Sequence, residues 1–183
     1  MAQFYIILVI LLLIVIWIIF IFNKLVRLRN FMREAWSGID VFLKKRHDMV
    51  PVLVETVKGY ATHEKQTLED VMRFRSNAIN AKNLQECIEG EKGLGNALGH
   101  LIVVAERYPD LKANANFLKL QQQLSEMEDE LALSRRYYNG TVRENNIRVE
   151  SFPSNIVAAT FNFKKGIFFE IDPPEKVITN LSL

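Results

Sequence analysis

The first charged side chain in this sequence is Lys24. Before it, Phe4 to Phe22 runs FYIILVILLLIVIWIIFIF, nineteen residues without a charge, a glycine or a proline. At ~1.5 Å per residue a helix of that length covers about 28 Å, close to the ~30 Å hydrocarbon core of a bilayer. A surface helix of a globular protein needs one polar face, and this stretch has none. A cleaved secretion signal has a shorter apolar region and ends at a small-x-small site, whereas Phe22 is followed by Asn23, Lys24, Leu25, Val26 and Arg27. The expectation is a retained single transmembrane helix, with residues 1–23 as the anchor.

The flanks set its direction, because cytoplasmic loops beside a span carry the excess of Lys and Arg. Only the terminal amine precedes Phe4, while Lys24, Arg27, Arg29 and Arg33 all come before the first acid, Glu34. The N-terminus is expected outside and everything after the span in the cytoplasm. The bilayer is the first partner implied. Lys24 and Arg27, up to about 7 Å above Phe22, lie within the Debye length of ~8 Å, and Arg29, at about 10 Å, lies just past it; the three are expected to contact anionic head groups, at up to ~1 kcal/mol each. Residues 24–46 carry seven basic and two acidic side chains, net +5, against +2 for the whole chain, so the remainder is net −3. A body of that charge lacks the basic stripe of a nucleic-acid-binding domain, and no nucleic-acid partner is expected. Cys87 is the single cysteine, which excludes an internal disulfide.

The rest reads as all-α. Leu25, Leu28, Met32, Ala35, Ile39, Phe42, Arg46, Met49 and Leu53 alternate in steps of three and four, the period of an amphipathic helix, so the first helix continues out of the membrane to about Gly59–Thr62. Pro51 interrupts it, either as a kink, the favoured reading, or as a break with Asp48 capping a new helix. A second helix is expected from a Thr62 cap to Asn80–Asn83, a third from about Glu91 to Tyr108, and a fourth, with unbroken periodicity, from Asn114 to Phe152. Marginal β structure is conceivable at 168–171. Two long and two short helices with short connections predict an antiparallel four-helix bundle over residues 24–160 with coiled-coil-like packing.

The unequal lengths carry two consequences. Two short helices fill only the distal half, leaving a thin membrane-proximal hairpin. Its apolar side chains, Phe31, Met32, Trp36, Ile39, Val142 and Val149, form a candidate homo-oligomer interface. The fourth helix should also deliver the tail, residues 161–183, back to the membrane end. Phe161, Phe163, Lys164, Lys165, Phe168 and Phe169 suit a membrane interface, with rings in the acyl boundary and amines at head groups. The competing reading has these rings capping the bundle base on Leu25, Leu28 and Met32. Pro173-Pro174 is expected to end the ordered part of the tail.

The runs AWSGIDVFLKKRHDMVPVLVETVKGYATHEKQTL (35–68), ERYPDLKANANFLKLQQQLSEMEDELALSRRYYNGTV (106–142) and ESFPSNIVAA (150–159) closely resemble the LemA family of bacterial membrane proteins. The resemblance covers nearly the whole chain. It implies one span followed by a cytoplasmic four-helix bundle in a bacterial inner membrane, and it supplies neither an agreed reaction nor catalytic residues. A local departure is Asn145-Asn146, where the family pattern has an aromatic before the second Asn.

Known catalytic patterns are not met. No Glu has His three residues on, as bundle di-iron sites require, and His63-Glu64 is followed by Thr67 where a zinc protease needs its second His. Gly93, Gly95 and Gly99 miss the G-x-G-x-x-G spacing and read as small residues for close helix packing. Glu126, Asp129 and Glu130 read as a solvated face, and so does the basic run Lys44–His47. Glu86 and Glu89 beside Cys87 should blunt a thiolate. Trp36, Tyr137 and Tyr138 read as internal packing. No catalytic, metal or cofactor-binding residue is therefore assigned. The sequence predicts a membrane-anchored, non-enzymatic scaffold or interaction protein that binds itself or another membrane-associated protein. The alternative is a cytoplasmic-face enzyme, such as a hydrolase, assembled from scattered polar residues.

Overall fold

A computed structural model describes residues 1–170 of the chain. Six helices make up most of it: α1 (Ala2–Lys58), α2 (Lys65–Ile79), α3 (Leu84–Ala105), α4 (Pro109–Lys112), α5 (Ala115–Glu150) and α6 (Ser154–Thr160). There is no strand among the described residues, and 168–170 belong to no regular element. Ile171 and Pro173-Pro174 lie outside the described residues. The chain packs as two compact units, Met1–Ile39 with Leu133–Phe168, and Asp40–Ala132 with Phe169. This division falls elsewhere than the boundaries at 23 and 160 read from the sequence.

In the first unit the contacts descend α1 as they ascend α5, which makes the two helices antiparallel. The Trp36 ring meets Tyr138 edge-on at 5.6 Å, Met32 and Val142 face the same glycine, Gly166, and Val149 packs on the cluster that contains Leu25. Beyond α5, Ser154 Oγ donates to the carbonyls of Arg148 and Ser151, 2.7 and 2.9 Å away, and satisfies the open end of that helix. α6 then lays Val157 and Ala158 on Ile21 and Leu25.

Asn162, with φ at 55°, turns the chain, and residues 163–168 run back as a strap. Side chains of α5 hold its backbone. Asn145 Nδ2 donates to the Lys164 carbonyl at 3.2 Å, and Tyr138 Oη donates to that of Ile167 at 3.0 Å. Asn146 brackets Gly166, donating to its carbonyl at 3.0 Å and accepting from its N–H at 2.7 Å. The pair that departs from the family pattern is thus what fastens the strap.

The second unit is built on one core fed by four helices: Val50, Leu53, Val54 and Val57 of α1, Leu68 and Val71 of α2, Leu94, Leu98 and Leu101 of α3, and Phe117 and Leu124 of α5. α3 begins at Leu84 rather than near Glu91. Asn83 Oδ1 accepts the Glu86 N–H at 2.9 Å while the Glu86 carboxylate reaches back to Asn83 Nδ2 and the Lys82 N–H, a reciprocal cap that hydrophobic periodicity does not register. α2 begins at Lys65, not at a Thr62 cap, with Thr62 left in the preceding turn. Asn114 does cap α5, accepting from the N–H groups of Asn116 and Phe117.

Pro51 does not break α1, which is one helix of 57 residues. A proline at 51 has no N–H to give to the carbonyl of His47, four residues earlier. Arg75 of α2 supplies the missing donor, its Nε lying 2.6 Å from His47 O. An unfilled carbonyl in this half-buried position costs about 1 kcal/mol, so Arg75→Met is expected to lower stability by roughly that amount. In a Pro51→Ala background the restored N–H should make the same substitution nearly silent. Urea titration of the four proteins in detergent measures this coupling, and equal Arg75→Met losses in both backgrounds would refute the role.

Candidate functional site

The apolar stretch is uncovered. From Phe4 to Trp17 every residue is 42 to 67% exposed, so nothing among the described residues provides the apolar surroundings these side chains need. Burial begins at its cytoplasm-facing end as read from the sequence. Ile21 and Leu25 are inside, and the rings of Phe161 and Phe163 stand edge-on to Phe22 at 4.9 and 5.6 Å. Phe163 is buried and takes the capping course, whereas Phe161 remains half exposed. Lys164 and Phe168 are exposed, Lys165 pairs with Glu150, and Phe169 is buried. Lys24, Arg27 and Arg29 all face outward. The Arg29 guanidinium lies over the Phe163 ring at 5.1 Å.

The proposed hairpin interface needs correction. Ile39 and Val142 are fully buried, and Met32, Trp36 and Val149 are half-buried; of the six residues only Phe31, at 43%, remains well exposed. The expectation counted two helices, but the strap and α6 add a third layer. A Cβ built on Gly166 would fall 2.9 Å from Met32 Sδ and 3.2 Å from a Val142 methyl, showing how closely the strap lies on both.

The second unit holds a buried charge cluster that the sequence did not disclose. Arg46 and Glu91 are inside, with Arg46 Nη1 3.0 Å from Glu91 Oε2 and His47 Nε2 2.5 Å from Glu91 Oε1. Arg46 Nε lies 2.9 Å from Glu128 Oε1, an ion pair by distance but not an aligned hydrogen bond. The run Lys44–His47 is therefore a solvated face only at Lys44 and Lys45. A signal was available. Arg46 sits on the apolar stripe of α1 and demands a carboxylate, and Glu91 shares the buried face of α3 with Ile88, Leu94 and Leu98.

Both oxygens of Glu91 are occupied, one by the Arg46 guanidinium and the other by the His47 ring. Cys87 is unsuited to attack, since burial first, then the charges of Glu91 and Asp40, push its thiol up to about 11. Glu126, Asp129 and Glu130 are exposed as expected and flank an open groove floored by Phe42, Met49 and Leu120. Gly93 does pack closely, against the Phe74 ring, whereas a Cβ on Gly99 would meet nothing within 4 Å.

A family model described as LemA family matches residues 35–180. Protein LemA of Metamycoplasma hominis is 27% identical over 161 residues, which cover 87% of this chain and 74% of that protein. Magnetosome protein MamQ 2 of Paramagnetospirillum magneticum is 23% identical over 178 residues, and Magnetosome protein MamQ of Magnetospirillum gryphiswaldense 21%. Those alignments cover 83% of this chain and 65% of each MamQ protein, a little under two thirds of its length.

Proposed function

This chain belongs to the LemA family, and we propose that it is a membrane-anchored, non-enzymatic interaction protein. Phe4–Phe22 crosses the inner membrane with the N-terminus outside, and everything beyond Asn23 works in the cytoplasm. The observation that carries this reading is the uncovered apolar start of α1, which runs without a break into the folded part of the same helix. Burying such side chains in lipid is worth ~1.5–3 kcal/mol for each large one, and the four cations that follow the span favour this orientation. In this reading the segments of α1, α2, α3 and α5 that share a core act as an antiparallel four-helix bundle. Lys24 and Arg27 rest against anionic head groups.

The engaged Glu91 carboxylate and the raised Cys87 thiol favour a non-catalytic role over a hydrolase. The partner is a second copy or another membrane-associated protein; for a second copy, Phe31 is the remaining surface of the six residues first considered. The test is made in bacterial cells that produce the full chain. It should stay in the membrane pellet through alkaline carbonate, and protease added to spheroplasts should spare residues after 24 until the membrane is opened. Release by carbonate, or cleavage in intact spheroplasts, would overturn the anchor or its direction. A Cys at position 31, with Cys87 replaced by Ser, should form a disulfide-linked dimer in membranes under mild oxidation if the partner is a second copy. Its absence would leave that place to another protein.

A further inference from the structure

The strap brings together cations that are more than 130 residues apart in sequence. Arg29 of α1 and Asn162, Lys164 and Lys165 of the strap edge a cleft of about 290 Å³ in the first unit, with Phe163 as one wall and the buried Asn145 at its base. That volume is at the lower end of the ~300–1,000 Å³ typical of small-ligand pockets. Lys165 is matched by Glu150, so the uncompensated charge is carried by Arg29 and Lys164.

Position adds to charge. Helical side chains lean toward the helix N-terminus, which for α1 is the membrane side. Arg29 follows this rule, its guanidinium lying over Phe163, whose ring in turn touches Phe22 at the end of the apolar stretch. Seven residues beyond Phe22, Arg29 starts about 10 Å from the span's end and reaches back toward it. The head-group layer occupies about 5–8 Å on each face of a bilayer. The cleft therefore opens at head-group depth, with two cations, an amide and an aromatic wall. A phosphate ester with a short polar head, attached to an acyl chain, has the matching chemistry.

We propose that the Arg29–Asn162–Lys164 cleft is a binding site for the phosphodiester head group of an anionic phospholipid. It is a defined site, distinct from the diffuse attraction of Lys24 and Arg27 for the surface, and it rests on the anchored reading above. Such a site makes the strap a lipid-reading element, fixed to α5 by Asn145 and Asn146.

The test reconstitutes the full chain in phosphatidylcholine vesicles doped with a photo-crosslinkable phosphatidylglycerol, or with the matching phosphatidylcholine probe, and maps adducts by mass spectrometry. Adducts on residues 162–165 should favour phosphatidylglycerol about ten-fold, and Arg29→Gln with Lys164→Gln should abolish the preference. Both side chains are exposed, and urea titration in detergent checks that the variant still folds. Lys24→Gln with Arg27→Gln should leave it within two-fold. Equal loss from either pair would overturn a defined site in favour of general surface charge. Displacement by millimolar glycerol phosphate as effective as by phosphatidylglycerol would overturn the lipid source. Adducts on the Phe4–Phe22 peptide serve as the anchor control: present without preference at 162–165, they refute the cleft alone, and absent with both probes, they refute the anchored reading beneath it.

Discussion

Replacing Glu91 by alanine is expected to destabilise the protein by about 3 kcal/mol, the low end of the ~3–5 kcal/mol seen when a buried ion pair loses one member. The reason is what is left behind. Arg46 and His47 stay in place around a space where their shared carboxylate stood, with side chains that are 4% and 13% exposed. The low end applies because Glu128, 35% exposed, still faces Arg46 Nε at 2.9 Å. At ~2–4 °C per kcal/mol for a chain of this size, the midpoint of thermal unfolding should fall by roughly 6–12 °C. Replacing Arg46 by Met and Glu91 by Leu together should restore most of the loss, since a buried pair rarely outperforms well-packed apolar side chains. Urea titration of the full-length protein in detergent, read at constant slope, measures both variants. A loss under ~1 kcal/mol for Glu91→Ala would mean that the pair behaves like a hydrated surface contact.

The second large effect reverses the usual sign of a substitution. Glycine to alanine inside a helix normally gains up to ~1 kcal/mol, yet Gly90→Ala is expected to lose about 1–3 kcal/mol through overpacking. A Cβ at residue 90 would fall 2.7 Å from Ala78 Cα and 2.9 Å from Ala78 N, and these are backbone atoms of α2 that no rotamer change can move aside. Gly99, on the same helix, has nothing within 4 Å of its would-be Cβ, so Gly99→Ala should gain some fraction of that ~1 kcal/mol. The two variants, compared by the same titration, should move in opposite directions. A stabilised Gly90→Ala would show that α2 and α3 do not approach as closely as Gly90 and Ala78 indicate.

These predictions separate kinds of information. Periodicity located α1 and α5 to within a few residues, because a long amphipathic helix writes its buried face into every third or fourth position. It misplaced the start of α3 by seven residues, since a cap such as Asn83 with Glu86 is polar and has no period. It noticed glycines at 93, 95 and 99 but gave no means to rank them, and it passed over Gly90, whose neighbour lies on another helix. The hairpin surface was misjudged for a related reason. Ile39 and Val142 look unpartnered when only helices are counted, and a strap of irregular backbone announces itself by no pattern at all.

The sequence by itself determined that α1 begins with a stretch too long and too apolar to be left in water, that the chain is helical, and that its cations gather just past that stretch. These are properties of consecutive residues, where hydrophobic transfer and helix geometry act locally. Only the tertiary structure decided that Arg46 is buried with Glu91, that Arg75 fills the carbonyl orphaned by Pro51, and that Arg29 meets Lys164 across a cleft. Each joins residues at least 24 positions apart. No local preference encodes such a meeting, because it is fixed by how whole helices and the strap stack, and by the cost of leaving a buried charge or carbonyl without a partner.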